Sequence, residues 1–327
     1  MSAANNIATQ ILNADRVALS KAITLVESTR PEHNEQAQEI IQQLLPHTGN
    51  SIRIGITGVP GVGKSTFIDA FGTYLVEKGK RVAVLAIDPS STISKGSILG
   101  DKTRMENLVN HPNAYIRPTA AGNALGGVAK ATGESILLCE AAGFDIILVE
   151  TVGVGQSETT VKNLTDFFLL LMLAGAGDEL QGMKRGIMEM ADLILINKAD
   201  GDNIDKAKKA AQQYKQALHL FPAADNGWVP QTDICSAYTK EGIDRCWNTV
   251  EKFVALQQEN GYFSKKRIQQ KIFAFRETLQ QQLFSKILKQ PEVAIAIEQK
   301  EKAIAAQQIN AYKAAYEILQ YIYTKLL

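Results

Sequence analysis

Three cysteines in 327 residues, Cys139, Cys235 and Cys246, are scattered, odd in number and without any Cys-x-x-Cys spacing. That excludes a disulfide framework and a thiolate metal site, suits a reducing compartment, and predicts three small buried apolar residues. Histidine is equally sparse: His33, His47, His111 and His219 are isolated. Charge of one sign is also missing, with Lys+Arg 35 against Asp+Glu 34. No basic field is present for nucleic acid or an anionic membrane, so neither is expected as a partner. Long apolar runs are absent too. The longest, Phe167 to Ala174, is far too short to span a bilayer and reads as a buried strand. The opening MSAANNIATQ has no basic n-region and no apolar h-region, so it is not read as a secretory signal, and the chain is expected to be cytoplasmic. There is no internal repeat and no low-complexity tract.

What is there is an alternation. From about Asn5 to Leu45, Ile7, Ile11, Leu12, Val17, Leu19, Ile23 and Val26 recur at helical spacing, and a break at Thr29 to Pro31 separates a second helix, predicting an N-terminal helical hairpin over 1–50. Over 51–260 short β-rich runs, Ile52–Thr57, Val82–Asp88, Asp145–Thr151, Phe167–Leu173, Leu193–Asn197 and Val229–Cys235, alternate with helical stretches. This predicts an α/β fold: a parallel sheet flanked by helices on both faces, with N-terminal and C-terminal helical extensions. Beyond Gly261 strand signals stop. Ile268, Ile272, Phe275, Leu279 and Leu283 mark one helical stripe, and after Pro291 a Gly-free, Pro-free segment reaches Leu327. Unbroken, that segment would be on the order of 50 Å long. It is long enough to pack on its own domain or on a second subunit.

Gly58-Val59-Pro60-Gly61-Val62-Gly63-Lys64-Ser65-Thr66 follows one of these strands and opens a helical run through Glu77. Glycines let backbone N–H groups curl around phosphate oxygens, and the helix N-terminus adds favourable partial charge. Lys64 is expected to reach the β- and γ-phosphates, and the Ser65 hydroxyl to ligate Mg²⁺. A magnesium nucleotide also needs carboxylates at strand ends. Glu150 ends the apolar run Ile146–Val149, and Gly153 behind it is placed to donate its N–H to the γ-phosphate. Asp88 ends another strand, and the polar stretch Ser90 to Asp101 lies where a switch loop would sit; taken alone, Asp88 and Asp101 also read as surface acids.

Asn197-Lys198-Ala199-Asp200 ends the strand Leu193–Ile196. A carboxylate at Asp200 can accept both guanine N1–H and the exocyclic N2–H, and adenine offers neither donor there. Lys198 can lay its stem along the base, and Asn197 can tie this loop to the phosphate loop. Ser236-Ala237-Tyr238, after the strand Val229–Cys235, is suited to present backbone N–H to guanine O6. Ordered at successive strand ends, these motifs predict a P-loop GTPase using GTP/GDP and Mg²⁺.

Longer segments carry a family resemblance: Ala86-Ile87-Asp88-Pro89-Ser90-Ser91 leading to Asp101-Lys102-Thr103-Arg104-Met105, Val149-Glu150 through Gln156-Ser157-Glu158, and Gly177-Asp178-Glu179-Leu180-Gln181-Gly182-Met183-Lys184. Over nearly its whole length the chain resembles the MeaB/ArgK/MMAA group of SIMIBI-class GTPases. The resemblance implies a chaperone of an adenosylcobalamin-dependent acyl-CoA mutase, methylmalonyl-CoA mutase above all, that gates cofactor loading and protects or reactivates the mutase. A cobalamin adenosyltransferase is a candidate further partner. It also implies a homodimer built from C-terminal helices over 261–327. Asp88, Asp101 and Glu150 then line the magnesium and γ-phosphate side, and Lys184 lies in a further switch loop, Gln181 to Ile187. The groups expected at the reacting phosphate are Lys64, Asp101, Glu150, Gly153 and Lys184. Val154 stands where Ras-like proteins carry a water-orienting Gln, so slow intrinsic hydrolysis is expected, with Gln156, Lys184 or another switch residue completing the site. Alternatives within reach of the motifs are a metal-insertion GTPase, which the lack of paired Cys and His disfavours, and an amino-acid transport-associated ATPase or kinase, which Asp200 disfavours.

Overall fold

The computed structural model describes residues 3–88, 105–120, 125–151, 157–175, 185–222 and 224–326. The chain forms two compact units, Met1–Ile272 and Phe273–Leu327. In the first, three helices, α1 (Ala3–Leu12), α2 (Arg16–Glu27) and α3 (Pro31–Leu44), precede the sheet. The expected hairpin is therefore a three-helix array. The extra break falls where Ala14 takes a left-handed φ of 62° and the Asp15 carboxylate caps α2 by accepting from Val17 N and Ala18 N. Apolar periodicity runs through that turn, which is why periodicity alone hides it.

The sheet has seven strands, β1 (Ile52–Gly58), β2 (Val82–Asp88), β3 (Ala114–Ala120), β4 (Ile146–Thr151), β5 (Phe167–Leu173), β6 (Leu193–Asn197) and β7 (Gln231–Ile234). All pairings are parallel, in the order β3-β2-β4-β1-β5-β6-β7. Strands β4, β5 and β6 are near-continuous apolar runs because helices cover both of their faces, and β1 is buried along almost its whole length although Arg53 and Thr57 interrupt its apolar residues. One strand, β3, goes beyond the six read from the sequence. Pro118 breaks its β signal, and an edge position tolerates a residue without N–H. At the opposite edge β7 is shorter than expected, starting only after Pro230.

One face carries α1 to α3 over α6 (Leu125–Ala141): Ile11, Ile23, Ile40 and Leu44 join Ile136, Ile147 and Val149 in one apolar layer. On the other face α4 (Lys64–Glu77), α5 (Glu106–Val109) and α10 (Ile243–Glu259) pack Phe67, Phe71, Trp247 and Phe253 onto Ile54, Val84 and Leu169. Each such side chain contributes about 1.5–3 kcal/mol by burial. Towards β6, α8 (Arg185–Met190) and α9 (Ile204–Leu218) close a third layer. All three cysteines are free and buried within these layers, and burial pushes their thiols well up from the ordinary range.

The N-terminal ends of the central strands share a device. The aspartates just before β4, β5 and β6 each accept a backbone N–H at the start of the neighbouring strand: Arg81 N to Asp145 Oδ2 at 2.7 Å, Arg53 N to Asp166 Oδ2 at 2.8 Å, and Phe168 N to Asp192 Oδ2 at 2.8 Å. Around Asp166 this grows into a buried ionic cluster. Arg267 on α11 (Tyr262–Leu288) donates to both Asp166 oxygens, to Glu140 and to the Ser51 carbonyl. Arg53 forks onto Glu140 at 2.9 Å through two nitrogens. Burial drives the Glu140 carboxyl upward, but the two guanidinium groups outweigh it and hold Glu140 below the usual carboxylate range.

The second unit holds the rest of α11, α12 (Pro291–Ala305) and α13 (Ala311–Leu326). The single long helix expected after Pro291 is therefore two. At the break Gln308 N donates to Ala303 O, Gln307 N donates to Ile304 O, and Gln307 takes φ 57°; this is a Schellman ending built without glycine. The Asn310 side chain then caps α13 by accepting from Lys313 N. Without Gly or Pro, Asn310 is the one mark the turn leaves in the sequence.

Candidate active site

The chain leaves β1 for β2 on one side of the sheet, while β5 lies on the other, so the crevice of this doubly wound sheet falls at the C-terminal end of β1. The phosphate loop sits there. Gly61 and Gly63 take φ of +74° and +90°, left-handed values that a side chain would strain, and Gly63 leads directly into α4 without a side-chain cap. The helix starts at Lys64, so Ser65 and Thr66 lie in its first turn. That end of α4 keeps N–H groups that no capping side chain claims, which is what an anion needs. Lys64 Nζ folds over the loop and donates to Gly58 O at 2.9 Å and Val59 O at 3.5 Å. Burial lowers its pKa, while Glu150 and Glu158 act to raise it.

Glu150 is buried on β4, in register with Ile56 of β1. Next to it the Thr151 hydroxyl donates to that of Thr57 at 2.7 Å, pinning the two strand ends together. The oxygens of Ser65 and Glu150 suit a small hard cation. Among the described residues no group of three His, Cys, Asp or Glu could hold a metal alone. A magnesium ion here would take its remaining oxygens from phosphates and water, as it does in nucleotide sites. Of the other expected residues, Asp88 ends β2, but its side chain lies outside the described residues, as do Asp101, Gly153, Val154, Gln156 and Lys184.

The base side is more completely drawn. Asn197 is buried at the end of β6 and bridges three loops: its Nδ2 donates to Val62 O at 2.8 Å, and its Oδ1 accepts from Ala237 N at 3.0 Å and from Cys235 Sγ at 3.5 Å. Lys198, at φ 60°, swings over the phosphate loop and donates to Gly61 O at 2.9 Å. Asn203 fixes that strained residue by donating to Lys198 O at 2.7 Å. Asp200 is partly exposed, and Ser236 Oγ donates to its Oδ2 at 2.5 Å. Ser236 Oγ in turn accepts from Thr239 N at 3.1 Å. The carboxylate is thus aimed before any base arrives.

The sequence reading treats Ser236 to Tyr238 as a source of backbone donors. In the structure Ser236 N–H goes to Glu241 O and Ala237 N–H to Asn197, so two of those three donors are already engaged. The Ser236 hydroxyl, which orients Asp200, was missed. A serine directly after a strand that lies beside the Asn-Lys-x-Asp strand is the signal that could have found it. Tyr238 is 87% exposed.

A scan of protein families matches residues 19–292 to the methylmalonyl-CoA mutase-associated GTPase MeaB. The chain belongs to the MeaB family. Among relatives of this member, a probable GTPase of Mycobacterium bovis is 50% identical over 289 residues, 88% of this chain and 86% of that protein. The GTPase ArgK of Escherichia coli is 44% identical over 278 residues, 85% and 84% of the two chains. The mitochondrial methylmalonic aciduria type A homolog of Mus musculus is 47% identical over 269 residues, 79% of this chain and 65% of that one. A crystal structure titled LAO/AO transport system kinase superposes with TM-score 0.77 at 34% identity, covering 98% of this chain and 97% of that one. Like its MeaB-family relatives, the chain is a nucleotide-binding P-loop GTPase.

Proposed function

We propose that this GTPase is a chaperone of an adenosylcobalamin-dependent acyl-CoA mutase, with methylmalonyl-CoA mutase as its client, gating cofactor loading and protecting or reactivating the enzyme. The observation that carries the reading is the family match over residues 19–292, whose description names that mutase. In this reading Gly58 to Thr66 cradle the phosphates and Lys64 neutralises them. Ser65, Asp88, Asp101 and Glu150 serve Mg²⁺, which supplies charge stabilisation at the β- and γ-phosphates when bound. Asn197, Lys198, Asp200 and Ser236 to Tyr238 hold the guanine. Gly153 and Lys184 couple switch loops to the γ-phosphate. Val154 cannot orient water, so hydrolysis by the protein alone is slow and the client accelerates it.

The C-terminal helical region, 261–327, is the dimerisation element of this proposal. Exposed Ile268, Ile272, Phe275, Leu279 and Leu283 on α11 form one apolar stripe at helical spacing, and Tyr312, Tyr316, Leu319 and Tyr323 form another on α13. A cobalamin adenosyltransferase is the further partner proposed, and the cytoplasm the compartment. Among the described residues no helix is long and apolar enough to cross a membrane.

The experiment is capture of the mutase on the immobilised full-length protein loaded with non-hydrolysable GTP or with GDP, paired with single-turnover hydrolysis with and without mutase. Nucleotide-dependent capture and faster hydrolysis with the client are expected. Equal capture in both states, or rapid turnover by the isolated protein, would overturn the switch.

A further inference from the structure

Asn203 stands immediately before α9, where an asparagine ordinarily accepts a backbone N–H of the first helical turn. It makes no such bond. Its backbone is already helical, at φ −91° and ψ −8°, and not in the extended conformation that capping uses. As Glu158 does in α7 (Ser157–Leu164), Asp205 places a carboxylate in the first turn of α9, so the helix dipole is complemented without Asn203. The Asn203 side chain is turned back towards the base loop instead. Its Nδ2 donates to Lys198 O at 2.7 Å, while its own N–H donates to Asp200 O at 3.0 Å. One residue thus closes the turn behind both Lys198 and Asp200.

What it holds there is a strained residue. Lys198 takes φ 60°, a left-handed conformation that a side chain disfavours and that persists only where its surroundings enforce it. In front, Lys198 Nζ reaches Gly61 O, and the phosphate loop leaves room for the lysine stem: a Cβ at Gly63 would stand 3.1 Å from Asn197 Nδ2 and 4.0 Å from Lys198 Cε. On either side Asn197 is tied to Val62 O, and Ala199 N donates to Cys235 O at 2.9 Å. Behind, the grip on the Lys198 carbonyl comes from Asn203. A left-handed residue other than glycine costs free energy of the same order as one neutral hydrogen bond returns, so this bond governs how steadily Lys198 keeps its conformation.

We infer that Asn203 is a positioning residue of the guanine site: by donating to Lys198 O it keeps Lys198 left-handed, with its stem beside the phosphate loop where the base is expected, and so slows the release of bound guanine nucleotide. The inference rests on the proposed role of Lys198 at the base.

The test follows release of fluorescent GDP from the full-length protein by stopped flow in the parent, Asn203→Ala, Lys198→Ala and the double variant. Asn203→Ala should release GDP about three- to tenfold faster, the range for losing one neutral hydrogen bond, with the association rate nearly unchanged. In the Lys198→Ala background the same change should alter release by less than about twofold, because the stem that Asn203 positions is gone. A loosened turn or a weakened α9 would act equally in both backgrounds. Asn203→Ser, a good helix cap with a shorter side chain, should keep the unfolding midpoint and still release GDP as fast as the alanine variant. Should Asn203→Ala fail to fold, Asn203→Ser takes its place in the cycle. Unchanged release in whichever variant folds would overturn the assignment, as would acceleration of the same size with and without the Lys198 side chain. A parent protein that binds ATP as well as GDP would instead remove the base-site reading itself.

Discussion

The two ends of the same parallel strands use polar groups in opposite ways. At the N-terminal ends Asp166, Glu140, Arg53 and Arg267 are buried and satisfy one another. At the C-terminal ends Lys64, Asn197 and Lys198 donate to loop carbonyls, Ser236 aims Asp200, and the phosphate loop leaves backbone N–H groups at the start of α4. Charges that find partners within the protein anchor α11 to the sheet. Charges and dipoles with incomplete partners make a binding site. A strongly shifted or buried ionisable group is thus not by itself a sign of function, and its partners decide which kind it is.

Removing one member of the closed cluster should have the largest effect. Arg267→Ala strands Asp166 and Glu140 and should cost about 3–5 kcal/mol in denaturant unfolding. Guanine-nucleotide affinity should be kept in the folded fraction. Loss of affinity there would mean that the two ends are not separate. At the other end Lys64→Ala should leave the unfolding midpoint nearly unchanged and slow single-turnover GTP hydrolysis by at least about a hundredfold, the scale for losing one preorganised charge at a reacting phosphate. Asp200→Asn should weaken GTP by about 2–3 kcal/mol in a binding titration, because the amide turns a donor towards N1–H, while xanthosine triphosphate, whose 2-oxo group accepts, should gain. Ser236→Ala removes only the group that aims Asp200 and should weaken GDP by about 1 kcal/mol.

The smallest effect sharpens the comparison by pH. Burial lowers Lys266 to about 8, against 10.5 as the ordinary value, although its Nζ donates to Asp166 O at 2.6 Å. Between those pH values the unfolded chain binds the proton more tightly, so this group's penalty is full below pH 8 and disappears as pH rises towards 10.5. Lys266→Met should therefore be more stable than the parent by about 1 kcal/mol at pH 7, net of the lost hydrogen bond, with the difference shrinking as pH rises. A difference that grows with pH would show that burial is not what acts on Lys266.

Much of the nucleotide end was legible because its chemistry is local. Gly58 to Ser65 and Asn197 to Asp200 are contiguous motifs at strand ends, and alternation of β-rich and helical runs gave the parallel sheet around them. Residues joined across distance were not. Arg267 meets Asp166 and Glu140 only after α11 packs, and Ser236 meets Asp200 only when β7 settles beside β6. β3 was hidden by Pro118, and the turns at Ala14 and Gln307 by left-handed residues other than glycine. In each case tertiary packing or a neighbouring cap overrides local preference.

The central claim is that Asp200, held by Ser236, selects guanine at the top of this sheet. Competition of GTP, GDP and ATP for labelled GDP on the isolated protein, run alongside Asp200→Asn, tests it most directly. GTP and GDP should displace the label at least about a hundredfold better than ATP, and Asp200→Asn should erase most of that ratio. ATP competing as well as GTP, or a ratio untouched by the substitution, would contradict the account.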